Sequence, residues 1–133
     1  MESIKVVARY VDGRILKGLT QDFLPNKDRF HLFPANQPSG QLREVTLKDL
    51  KAVFVVKDFR GNPAYVERKS YLDGEKPAGR KVEVTFTDGE VLVGSTLGFD
   101  LNRPGFFFFP ADPKSNNMRV FAVSTAVKRA RPL

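Results

Sequence analysis

A single histidine, His31, stands in a chain of 133 residues that has no cysteine. Histidine is the side chain best suited to acid–base work near neutral pH. A nucleophilic triad would add a serine and an acid, and no recognisable spacing supplies them around His31. Zinc takes three or four ligands, and one histidine with scattered carboxylates falls short. Asp12 and Asp88 each precede a glycine, a pairing that turns select for backbone reasons. Asp22, Asp100 and Asp112 are the acids a fold could still gather. Neither G-x-x-x-x-G-K-[ST] nor G-x-G-x-x-G occurs. The chain therefore reads as non-enzymatic, with no catalytic residue, no metal ligand set and no cofactor. The chemistry to look for is binding.

Composition narrows the partners. The formal net charge is +7. Residues 1–56 contribute +3 (9 basic, 6 acidic), residues 57–81 +3 (7 and 4) and residues 82–133 +1 (6 and 5), so the excess is spread out. A basic balance favours acidic or phosphate-bearing partners, or serves only solubility. Hydrophobic residues make up 41%, enough for a core. No run approaches the roughly 18 apolar residues of a membrane span. The opening MESIKVVARYVDG lacks the apolar core of a secretory signal. These features predict a cytoplasmic protein with no membrane contact.

The chain repeats itself. Shifted by 76 positions, residues 6–53 fall on 82–129 with 14 identities in 48 pairs. Chance gives about 3, at roughly one match in 17. Asp12-Gly13 meets Asp88-Gly89, Gly18 meets Gly94, and Asn26 meets Asn102. Phe33-Pro34-Ala35 meets Phe109-Pro110-Ala111, Ser39 meets Ser115, and Arg43 meets Arg119.

Each copy reads as five strands. Val82, Val84 and Phe86 alternate with polar residues, the period of a half-buried strand. The Asp-Gly pairs then predict two-residue hairpins. Return strands are expected over 14–20 and 90–96. Their central Gly18 and Gly94 suggest a bulge or a sharp bend, either of which lets a short sheet curl. Third strands are expected over 30–33 and 106–109, fourth over 43–47 and 119–123, and fifth over 52–56 and 127–130. The predicted fold is all-β, two small five-stranded barrels or bent sheets packed as a pseudo-dimer. Residues 1–56 form the first unit and 81–133 the second. Residues 57–80 form a linker, with one edge strand expected near 65–68.

The strings VVARYVDGRILKGLTQDFLPN and VEVTFTDGEVLVGSTLGFDLN resemble the first motif of the Sm-like small barrels, the fold of the bacterial RNA chaperone Hfq. The resemblance spans roughly the first 20 residues of each copy. It implies that Asn26 and Asn102 occupy the position where the family holds a stacked base. The family's second motif, an Arg-Gly or Lys-His pair before the last strand, is absent here. The chain is also similar to hypothetical bacterial proteins with a PADPKSNNMRVF-like stretch and no assigned activity. RKSYLDGEKPAGR invites comparison with the PilZ cyclic-dinucleotide receptors, but the ordered Arg-x-x-x-Arg fingerprint is missing, which leaves this a remote alternative.

Two binding expectations follow. The first is an adaptor module of bacterial regulation that contacts an unidentified protein, with exposed strand edges and Phe-rich strands as the surface. A further copy of the chain is a candidate partner too. The second is single-stranded RNA or DNA, held by cations and stacking rings. The candidate surface comprises His31, Phe107, Asn26, Asn102, Arg43, Arg119 and Arg103. In the run PGFFFFP, Phe106 and Phe108 align with Phe30 and Leu32 and should be core. Phe109 should plug a barrel end or the contact between copies. Phe107, equivalent to His31, should sit at a rim or interface.

Overall fold

The structure is a computed structural model that describes residues 3–35 and 41–133. The Pro-rich segment 36–40 of the first copy, with Ser39, lies outside the described residues. Ten strands form: β1 (Ile4–Tyr10), β2 (Ile15–Thr20), β3 (Arg29–Pro34), β4 (Arg43–Thr46), β5 (Leu50–Val56), β6 (Arg80–Phe86), β7 (Val91–Thr96), β8 (Gly105–Pro110), β9 (Asn117–Val123) and β10 (Val127–Pro132). A single 3₁₀ turn precedes each of β5 and β10. Hairpins form at both Asp-Gly pairs, but with three-residue loops rather than two: the Tyr10 N–H donates to the Arg14 carbonyl and the Phe86 N–H to the Glu90 carbonyl, and only Gly13 and Gly89 take positive φ there, both +95°.

The strands make one antiparallel sheet in the order β10-β6-β7-β8-β9-β5-β1-β2-β3-β4. The all-β class is met, but the closed barrels are not. Closure of the first half would need β4 to pair with β5. Instead β5 pairs with β9 of the second half, from Ala52↔Ala122 to Val56↔Asn117. The sheet is therefore open, with β10 and β4 as its free edges.

Registers match between the halves through the third strand: Val6 faces Gly18 as Val82 faces Gly94, and Gly18 faces Pro34 as Gly94 faces Pro110. Thereafter they slip by one. Phe30 faces Val45, whereas Phe106 faces Ala122, so the offset becomes 77. The extra residue lies between β8 and β9. A one-residue shift reverses which face a strand residue occupies, so Arg43 corresponds to Val120 rather than Arg119. The gapless 76-residue alignment is thus corrected for the last two strands.

Gly18 and Gly94 do not mark bulges, since the β1–β2 and β6–β7 ladders run through them without a break. They are needed for close approach. A Cβ on Gly18 would overlap the Phe33 carbonyl and the Leu32 side chain, and one on Gly94 the Phe109 carbonyl and Phe108. The irregularities fall elsewhere, at Arg9/Tyr10, Val55/Val56 and Val127/Arg129.

There are two cores, one on each face of the β5–β9 seam. Val53, Val55, Phe121 and Val123 face the first half's core, with Val6, Ala8, Phe30 and Leu32. Ala52, Phe54, Val56, Val120 and Ala122 face the second half's core, with Val82, Val84, Phe86, Phe106 and Phe108. All seven residues of β5 are consequently buried. One is Lys51, 8% exposed. Its ammonium donates to Asp88 at 2.7 Å and Glu90 at 2.5 Å, both on the second half's hairpin, and lies 4.9 Å from the Phe86 ring centre. Those bonds give the buried charge its partners, as burial requires.

No strand forms at 65–68. Residues 57–79 instead clasp the second half through hydrogen bonds. Asp112, 5% exposed, accepts from the Tyr65 hydroxyl at 2.5 Å and from the backbone N–H groups of Arg68 and Lys114, both at 2.9 Å. Arg68 grips Glu75 at 2.6 and 3.0 Å, and the Ser115 hydroxyl donates to Glu67 at 2.6 Å. The Tyr65 hydroxyl and those N–H groups lower the Asp112 pKa from 3.8 to about 2. A depressed carboxylate contributes stability that is full above about pH 4 and fades as pH falls toward about 2. The thermal midpoint is therefore expected to drop across this window. Asp112→Asn should flatten that part of the drop, read by calorimetry at matched ionic strength. An unchanged profile in the variant would dismiss the clasp as the acid-labile element.

Candidate functional site

The seam creates the site. Phe107 projects from β8 on the face opposite Phe106 and Phe108, and reaches across to the first half. Its ring centre is 6.1 Å from that of Phe23 and 5.0 Å from that of Phe121. Phe121 in turn stacks edge-on against Phe23 at 5.5 Å. Such T-shaped aromatic pairs add to ordinary apolar burial. The Arg119 guanidinium lies 5.2 Å from the Phe107 ring centre, and its Nε is buried with no hydrogen-bond partner among the described residues.

A groove of about 820 Å³ opens beside this cluster. Phe23, Leu24, Phe99, Phe107 and Phe121 line it, with Arg103 and Arg119 as its cations and Asp100 as its one acid. The loop after β7 shapes the rim. The Thr96 hydroxyl sits 2.9 Å from the Gly98 carbonyl and 2.8 Å from the Phe107 carbonyl, and accepts from the Gly98 N–H at 3.2 Å. This pins the loop while Leu97 stands 81% exposed at the rim. Arg103 is placed by a turn in which its N–H donates to the Asp100 carbonyl at 3.0 Å.

Arg103 also borders a second cavity of about 600 Å³, between the loop before β3 and the loop before β8. Asn26, Asn102, Lys27, Arg29 and Lys48 line it, against the single acid Asp28. Together the two cavities carry five cations (Lys27, Arg29, Lys48, Arg103, Arg119) and two acids (Asp28, Asp100).

Five of the seven expected surface residues thus gather: Phe107, Arg119, Arg103, Asn26 and Asn102. His31 and Arg43 line neither cavity. They stand at the β3–β4 edge, where Leu32 faces Arg43 and His31 faces Glu44. His31 does have acidic neighbours. Its Nδ1 is 2.7 Å from Asp22, its backbone N–H donates to the same carboxylate at 2.8 Å, and its Nε2 is 3.7 Å from Glu44. Partial burial pushes the Asp22 carboxyl up, but the bonds from His31 and Thr20 outweigh it and hold it below the usual carboxylate range. Asp22, Asp100 and Asp112 do not converge, and no group of three potential metal ligands exists among the described residues. Phe109 plugs nothing. It is 42% exposed and contributes to the groove wall.

Sequence reasoning passed over Leu97, Phe99 and Phe23. The signal for Leu97 was present as an apolar residue directly after a strand and before a glycine. That Phe23 meets Phe107 across the seam was hidden, because nothing in sequence says which halves' faces touch.

Residues 2–133 match the model of DUF6982, a family of unknown function. The chain belongs to that family. No curated protein matches it. No solved structure matches it. Among the described residues of this DUF6982 chain, no helix is long and apolar enough to cross a membrane.

Proposed function

We propose that this chain is a non-enzymatic binding module that captures a segment of another protein in the seam groove. The observation that carries the reading is the combination of exposed Leu97 at the rim with a phenylalanine-lined floor and two arginines. Apolar lining with a few placed charges is the usual make-up of a binding cleft. The matching segment has an apolar anchor beside acidic residues, the anchor entering among Phe99 and Phe107 and the carboxylates meeting Arg103 and Arg119. An arginine set against an aromatic ring keeps its planar fork of donors for a carboxylate.

The test is selection from a random peptide library on the purified chain, counter-selected on the Leu97→Asp variant. Enriched peptides should pair an aliphatic or aromatic residue with Asp or Glu, and affinity should fall about tenfold for Arg119→Ala, the loss of one charged contact of about 1.4 kcal/mol. Enrichment that is equal on both baits would end the proposal.

A second reading, single-stranded nucleic acid, draws on the other cavity, where Asn26 and Asn102 meet four cations. Labelled single-stranded oligomers should then bind at low salt, and weaken steeply as salt rises. Absence of low-salt binding would remove this reading and leave the first intact.

A further inference from the structure

We propose that the two free edges of the sheet, β4 and β10, form a docking surface for a second copy of this chain that a few charged residues and one proline hold shut. The argument starts from the seam. β5 is the last strand of the first half and β9 is the fourth strand of the second half. The two free edges are their counterparts, β10 and β4. Joining β10 of one chain to β4 of the next would repeat the seam. An interface of this heterologous kind would continue into a ring or filament.

Residue by residue, the side chains that make the seam dry are replaced at the free edges. On β5, Ala52 and Phe54 enter the opposite core. With the 77-residue offset set by the registers, β10 carries Arg129 and Arg131 there. On β9, Phe121 and Val123 enter the opposite core. β4 carries Glu44 and Thr46 instead. Val7, buried at the seam, corresponds to Glu83. Glu83 holds Arg131 at 2.8 Å. The cross-strand pair Phe107–Phe121 corresponds to His31–Glu44. Transferring the seam register to the edges sets Arg131 directly opposite Arg43 of the next copy, a repulsive pair.

The backbone agrees. The Leu133 N–H donates to the Lys81 carbonyl at 3.0 Å, so the alternation of an antiparallel ladder turns the nitrogen of residue 132 outward. That residue is proline, which has no N–H to offer. Proline and charge are the standard protections of an exposed strand edge. One seam is therefore built within the chain, and the next is refused.

The experiment restores seam residues one edge at a time. The β10-edge variant carries Glu83→Val, Arg129→Ala, Arg131→Phe and Pro132→Val. The β4-edge variant carries Arg43→Val, Glu44→Phe and Thr46→Val. By sedimentation, the unaltered chain should run as one copy at every concentration. Each variant alone should do the same, and an equimolar mixture should give a 1:1 complex that stops at two chains. Circular dichroism of each variant before mixing shows that it is folded. Should either misfold, the milder pair Arg131→Val with Pro132→Val and Glu44→Val takes its place. Association of the unaltered chain that these edge changes alter, self-association of a single-edge variant, or folded variants that ignore each other would each overturn the proposal.

Discussion

Phe121→Ala is expected to destabilise the protein by about 3–5 kcal/mol, the range for emptying a buried aromatic site. Phe121 is fully buried. It belongs by sequence to the second half, yet it packs in the core of the first. Its ring touches Phe23 and Phe107, whose own separation leaves a gap once the ring is gone. Little can collapse into that gap, because Val53 and Val55 behind it are held by the β5 ladders on both sides. Equilibrium urea unfolding should show the midpoint falling with the slope unchanged. The groove should widen as well, so binding of any selected peptide should weaken in the same variant while it is still folded. A loss below about 1 kcal/mol would mean that the seam is not packed as described.

The second large effect is expected from separating the halves. Produced alone, neither residues 1–56 nor residues 81–133 should fold. The second half would lose Phe54 and Val56 from its core, and the first would lose Phe121 and Val123. At about 1.5–3 kcal/mol for each large side chain, two such losses cost each half about 3–6 kcal/mol. That is a large part of the roughly 5–15 kcal/mol by which a whole domain is stable. Each fragment should show random-coil circular dichroism, and the two together should regain strand signal on mixing. An isolated half with a cooperative melt would contradict the shared-core architecture.

The strands themselves were legible because each obeys a local rule. Alternation exposed β1 and β6, Asp-Gly marked their turns, and self-similarity doubled the evidence for both. Three things were not legible. Closure was misjudged because pairing of β5 with β9 or with β4 depends on which strands are apolar on both faces: residues 52–56 and 120–123 are apolar throughout, whereas Arg43–Thr46 is mostly polar. The 76-to-77 slip was hidden by the coincidence of Arg43 and Arg119, which align in sequence and diverge in space. Asp22 and His31 are nine residues apart across a loop that carries no recognised motif. The gathering of Asn26, Asn102 and Arg103 was half visible. The copies showed that the asparagines were equivalent, but only the seam shows that equivalent loops share one cavity.

The double burial of β5 bears on how the protein moves. Local opening exposes amides first where few packed side chains resist it. A strand whose two faces belong to different cores can be released only when both cores open. Amide exchange should therefore be slowest in β5 and β9, and should report one global event rather than two separate ones. The seam also joins segments far apart in the chain, Val53 with Phe121 for instance. Contacts of such range are slow to form. Once formed, they leave no low-energy route by which one half breathes while the other stays closed. A ligand arriving at the groove thus meets walls already in place, and its association rate should be set by encounter rather than by rearrangement of the sheet.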